Sequence, residues 1–156
     1  KLKKNTIRQM QNIFLMVLIL VLSFQLSAKK ITNKVFVHPT AENLSKEEVA
    51  VLGISKDVTL VEIDKSKFKV NGDRVHLSPG KHTFQVKRPL GIMYDGELSA
   101  TLEAGKYYVL DIWSEPAGGN YYRIIYKVFE VSEEDFEHYD RKILSRLIKE
   151  DKSLRY

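Results

Sequence analysis

From Lys34 to Val131 the chain is written in short runs rich in Val, Ile, Phe, Tyr and Thr, broken by Gly, Pro, Asn and Asp. No window in that stretch holds a helical period, so the pattern specifies strands and leaves no room for long helices. The expected strands are Lys34 to His38, Glu48 to Gly53, Val58 to Ile63, Phe68 to Val70, Arg74 to Leu77, His82 to Arg88, Glu97 to Glu103, Tyr107 to Trp113 and Tyr121 to Val131. Asn71-Gly72 has the backbone freedom of a tight hairpin, Pro79-Gly80 is set up for a turn, and Gly118-Gly119-Asn120 can reverse the chain between two aromatic strands. Pro39-Thr40 and Asn43 to Glu47 read as a connection with one helical turn capped by Ser45. Residues 29–131 are therefore expected to form a mainly β, antiparallel, sandwich-like domain.

After Val131 the period changes. Phe136, Tyr139, Ile143, Leu144, Leu147 and Ile148 recur at three- and four-residue steps, which places them on one face of an amphipathic α-helix. Ser132 suits the cap, Glu133, Glu134, Asp135 and Glu137 crowd the start, and Arg141, Lys142, Arg146 and Lys149 lie toward the end. Each cluster opposes the helix-dipole charge at its own end. The segment 132–156 is expected to lay its apolar stripe on the sheet.

At the other end, Lys1, Lys3, Lys4 and Arg8 precede an uninterrupted apolar run from Ile13 to Leu22, followed by Ser23 to Ser27 and Ala28. That order is the one found in a secretory signal peptide, and the run is about half of what a helix needs to cross a bilayer. Residues 1–28 are expected to act as a signal helix removed near Ala28. An uncleaved membrane anchor is the alternative, and membrane contact is expected through this segment alone. Of 25 Lys and Arg against 20 Asp and Glu in the chain, four of the basic residues and none of the acidic ones lie in that segment. The remainder, 21 against 20, has no dense basic stripe, so no nucleic-acid partner is expected.

The chain has no Cys, which excludes disulfides, Cys-based zinc sites and a cysteine nucleophile. Its four histidines are His38, His76, His82 and His138. His76 and His82 flank Ser78-Pro79-Gly80-Lys81, and a hairpin there would set Leu77 opposite His82 and Val75 opposite Phe84. Val75, Leu77, Phe84 and Val86 then share a buried face and His76 points the other way, so no joint metal site and no cofactor are expected. One histidine would sit at a strand end and the other in solvent. No glycine-flanked serine elbow occurs, and Gly118-Gly119 lacks the Lys and Ser or Thr of a phosphate loop. Carboxylate pairs are conceivable at Asp111 with Glu115 and at Asp95 with Glu97, the basis of an alternative reading as a hydrolase. Tyr107, Tyr108, Trp113, Tyr121, Tyr122 and Tyr126 crowd into twenty residues of a probable hairpin. Roughly half must face the core. Trp113, Tyr121 and Tyr122, near the loop, are the candidates for a binding surface.

The run Val75 to Val86, Val-His-Leu-Ser-Pro-Gly-Lys-His-Thr-Phe-Gln-Val, resembles the hairpin of PEGA-like domains and related small bacterial exported proteins. Val58 to Asp64 looks like the strand that ends in an Asp-Gly turn there, with Lys65 in place of the Gly. Leu102-Glu103-Ala104-Gly105-Lys106-Tyr107-Tyr108 is similar to their glycine turn into an aromatic strand. The resemblance spans roughly Glu48 to Trp113 and rests on turn motifs. It implies an envelope-associated β-sandwich with no catalytic residues to carry over. The chain is thus expected to be an exported, non-catalytic domain that binds an envelope protein or polymer, with an exported hydrolase as the alternative.

Overall fold

The computed structural model describes residues 31–87 and 95–151. The expected signal helix lies outside these residues, as do Arg88 and residues 152–156. Among the described residues, the strands are β1 (Val35–Val37), β2 (Ala50–Ile54), β3 (Thr59–Ile63), β4 (Ser66–Val70), β5 (Arg74–Leu77), β6 (Gly80–Lys87), β7 (Asp95–Leu102), β8 (Tyr107–Pro116) and β9 (Tyr122–Val131). Two helices follow, α1 (Glu133–Glu137) and α2 (Arg141–Glu150). Each expected strand forms, with its ends displaced by three residues at most. The expected turn at Ser45 forms as a single hydrogen-bonded turn, with the Glu48 N–H donating to the Ser45 carbonyl at 3.1 Å, and it is preceded by a 3-10 turn at Pro39–Ala41, where the His38 side chain accepts from the Thr40 N–H.

The strands make two sheets, ordered β1-β5-β2-β8-β9 and β4-β3-β6-β7. The four-stranded sheet is antiparallel throughout. The five-stranded one is mixed, because β1 with β5 and β2 with β8 pair in parallel. This corrects the expectation of a purely antiparallel arrangement. The cause is the route of the chain, which leaves the first sheet after β2, makes β3 and β4 in the second, and returns for β5.

Two turns expected to close hairpins instead carry the chain between sheets. Asn71-Gly72, with Gly72 at φ 72°, links β4 to β5. Ser78-Pro79 links β5 to β6, so Leu77 does not face His82. Leu77 pairs with Ala50 and Val75 with Leu52, while Phe84 pairs with Ile63 and Leu98. Val75, Leu77, Phe84 and Val86 are nevertheless all buried, since their strands supply opposite sides of one core. The tight turn between β3 and β4 falls at Asp64-Lys65, where both residues take positive φ without a glycine, at 50° and 68°. Asp64 is held there by the Thr83 N–H, which donates to its carboxylate at 2.9 Å.

Leu52, Leu60, Ile63, Phe84, Leu102 and Leu110 fill the space between the sheets. A second apolar cluster covers the other face of the five-stranded sheet, where Val51, Val109, Phe129 and Val131 meet Phe136, Tyr139 and Leu144. Gly53 makes this approach possible: a Cβ there would lie 2.4 Å from Ile31 Cδ1 and 2.8 Å from the Phe136 ring. Arg74 locks the same corner, with its guanidinium 4.9 Å from the Phe136 ring centre and bidentate on Glu137 at 2.7 and 2.8 Å.

The C-terminal helix is two helices rather than one. Ser132 Oγ accepts from the Asp135 N–H as expected, but α1 ends at Glu137. Asp140 then caps α2, its carboxylate accepting from the N–H groups of Lys142 and Ile143. The break turns Tyr139 down into the sheet.

Candidate functional site

Strands β8 and β9 pair over ten positions, from Tyr107 opposite Val131 to Pro116 opposite Tyr122. Strand β2 reaches β8 only as far as Leu110, opposite Ile54. The ribbon therefore runs on for six residues beyond β2, roughly 20 Å at 3.3 Å per residue. Its closing loop works as expected, with Gly118 and Gly119 at φ 101° and 58° and the Ala117 N–H donating to the Tyr121 carbonyl.

Alternation along this ribbon sorts the aromatic residues. Tyr108 and Tyr126 turn into the space between the sheets, where Tyr126 lies against the bare backbone of Gly96. Tyr107 and Trp113 turn toward the helices. Trp113 stacks on Phe129 with ring centres 5.7 Å apart, and its indole N–H donates to Glu115 at 2.9 Å. That placement gives Trp113 a packing role. Tyr121 and Tyr122 are 79% and 68% exposed, while most other large apolar side chains of the described residues are covered. Of the three candidates, the structure thus leaves two adjacent phenol rings in water at the end of a projecting ribbon, with Arg123 beside them.

The candidate carboxylate pairs do not converge. Asp111 is fully buried and accepts from Ser55 Oγ at 2.6 Å, from the Ile112 N–H at 2.8 Å and from Tyr139 Oη at 2.8 Å. Burial, then the adjacent Asp111 charge, pushes the Tyr139 hydroxyl far above its ordinary value, so it stays a donor. Glu115 instead meets Trp113 and Arg123, and these contacts hold its carboxyl below the usual range. Asp95 pairs with Lys87 at 3.6 Å, and Glu97 accepts from Gln85 across the strand pair. Asp111 joins β8, the β2–β3 connection and the α1–α2 junction. An acidic residue in the middle of the apolar run Tyr108 to Ile112 was the sequence signal for such a buried partner.

The histidines also depart from expectation. His82, expected at a strand end, is buried in β6, with Nδ1 2.6 Å from Asp64 Oδ2 and Nε2 2.8 Å from the Ser78 carbonyl. His76, expected in solvent, is not fully exposed but lies half-buried on the other face, in a different sheet. No group of three or more metal-ligating side chains occurs among the described residues, and none of their helices is long and apolar enough to cross a membrane.

Two shallow clefts lie on the surface of the described residues. One, of about 540 Å³, lies beside α2 and is lined by Lys106, Glu130, Glu133, Asp135, Arg146 and Glu150. Its cations are engaged: Lys106 with Glu130 at 2.7 Å and Arg146 with Asp135 at 2.5 Å. The other, of about 610 Å³, lies on the outer face of the four-stranded sheet between Glu62, Lys67, Lys69, Gln85 and Lys87. Compared with known proteins, the chain matches no family model, no curated protein and no solved structure.

Proposed function

We propose that the chain is an exported, non-catalytic β-sandwich-like domain that acts by binding or structural association at the cell envelope, through the tip of the β8–β9 ribbon. Residues 1–28 supply export. The single observation that carries the binding surface is the exposure of Tyr121 and Tyr122 on a ribbon that outruns its sheet. Phenol rings bury much area for few rotatable bonds and keep a polar tip, which suits them to a contact face. The same ribbon is rigid at its root, where Tyr108, Leu110 and Ile112 enter the core. The hydrolase alternative requires two facing, accessible carboxylates; Asp111 beneath Tyr139 and Glu115 beside Arg123 give it no support.

The test is photo-crosslinking in intact cells from a photoreactive phenylalanine at position 122, with the same group at position 85 as the control. Position 85 lies on the outer face of the four-stranded sheet. We expect the mature protein in the envelope or exported fraction, and one discrete adduct from position 122 that is absent from position 85. Retention in the cytoplasm overturns export. An adduct from position 85 alone overturns the ribbon tip as the contact.

A further inference from the structure

Strand β1 runs against the direction of β8, because it is parallel to β5, which is antiparallel to β2, which is parallel to β8. His38, just after β1, therefore lies at the end of the molecule away from the tyrosine tip. It is 3% exposed. Its Nδ1 accepts from the Thr40 N–H at 3.4 Å and stands 2.9 Å from Thr40 Oγ1, which leaves the ring proton of the neutral form on Nε2. That Nε2 is buried without a hydrogen-bond partner. The groups that act on the ring are Asp64 from the β3–β4 turn and His82 from β6, while Phe68 from β4 meets it at 5.5 Å. Asp64 is already engaged by His82 at 2.6 Å and by the Thr83 N–H at 2.9 Å. A second proton on His38 thus turns Nδ1 into a donor toward Thr40 Oγ1, breaks the contact with the Thr40 N–H and places a cation in an apolar corner whose one carboxylate is shared.

Strand β1 is anchored at its start, where the Thr32 N–H donates to the Gly72 carbonyl at 2.7 Å, the Arg74 side chain donates to the Thr32 carbonyl and to Asn33, and Ile31 is buried, so its end at His38 is the part that can open. The strand is three residues long at the edge of its sheet, Val35 and Val37 are exposed, and Phe36 packs on Phe68 at 6.2 Å. The His38 N–H donates to the His76 carbonyl at 3.0 Å, and the Arg74 N–H to the Lys34 carbonyl at 3.0 Å. We propose that His38 is an acid-operated latch: its protonation releases the His38 end of β1 from β5 while the rest of both sheets stays folded.

Burial is the largest influence on His38 and lowers its affinity for a proton. Asp64 raises it and His82 lowers it again. The opened state binds the proton more tightly than the closed one. The latch is therefore fully stable above about pH 6.5, the ordinary value, and weakens as the pH falls below it.

Amide hydrogen exchange on the full chain between pH 7.5 and 5.5, corrected for intrinsic chemistry, tests the latch. The His38 amide should lose up to about tenfold of protection per pH unit below 6.5, the limit for one linked proton. The Leu110 amide should keep its protection. His38→Phe should remove the dependence. If that variant does not fold, titration of the wild-type ring decides: a His38 value at or above 6.5 overturns the latch. So does loss of protection that is equal in β1, β5 and β8.

Discussion

The two sheets are built from similar residues and meet the solvent differently. In the five-stranded sheet, β2 is buried at every position from Ala50 to Ile54, and β8 from Tyr108 to Ile112. In the four-stranded sheet, β6 alternates, with His82, Phe84 and Val86 buried and Thr83, Gln85 and Lys87 half-exposed. The first sheet is covered on one face by its partner sheet and on the other by α1 and α2. The second is covered once. A continuous apolar run in a β protein thus marks a strand with two covers, and clean alternation marks a strand with one. The binding surface proposed above arises where the doubly covered ribbon runs past both covers, so that Tyr121 and Tyr122 are left in water.

Removing the second cover is the severest way to break this contrast. A chain ended after Val131 loses Phe136, Tyr139 and Leu144, each buried side chain worth about 1.5 to 3 kcal/mol before ordering entropy is subtracted. We expect an aggregating or strongly destabilised product. A truncated chain that stays soluble and melts like the full one means that α1 and α2 are not part of the core. Phe84→Ala cuts into the shared core instead and should lower stability by about 3 to 5 kcal/mol in denaturant melts. Tyr139→Phe keeps the ring but deprives buried Asp111 of one donor, and about 1 to 3 kcal/mol should be lost. Gln85→Ala, on the uncovered face, should stay within about 0.5 kcal/mol. If Gln85→Ala costs as much as Tyr139→Phe, the outer face of the four-stranded sheet is covered after all.

The sequence announced strands, turns and the Ser132 cap because each is written in local chemistry. Turn residues specify that the chain bends; they do not say which sheet it bends into. Asn71-Gly72 and Ser78-Pro79-Gly80 therefore read as hairpins and act as crossings. The parity of buried positions survived this error, since Val75 and Phe84 face one core whether their strands are neighbours or lie in opposite sheets. The break at Asp140 was also locally written, as an acid followed by free N–H groups, yet the apolar period runs through it unbroken from Phe136 to Leu144. At the proposed site, alternation along β8 and β9 was legible but the end of β2 was not. The overhang of the ribbon, and with it the exposure of Tyr122, depends on that pairing across 56 residues, from Ile54 to Leu110.

The central functional claim separates two aromatic groups on one ribbon, Trp113 as packing and Tyr121 with Tyr122 as contact. Envelope retention of exported protein, measured beside its unfolding midpoint, tests it directly. The doubly substituted Tyr121→Ser, Tyr122→Ser chain should keep its midpoint, within the roughly 0.5 kcal/mol usual for surface changes, and lose retention. Trp113→Ala should lower the midpoint, and its folded fraction should be retained. If the serine chain is retained like wild type, or if folded Trp113→Ala is released, the contact lies elsewhere than at the tip.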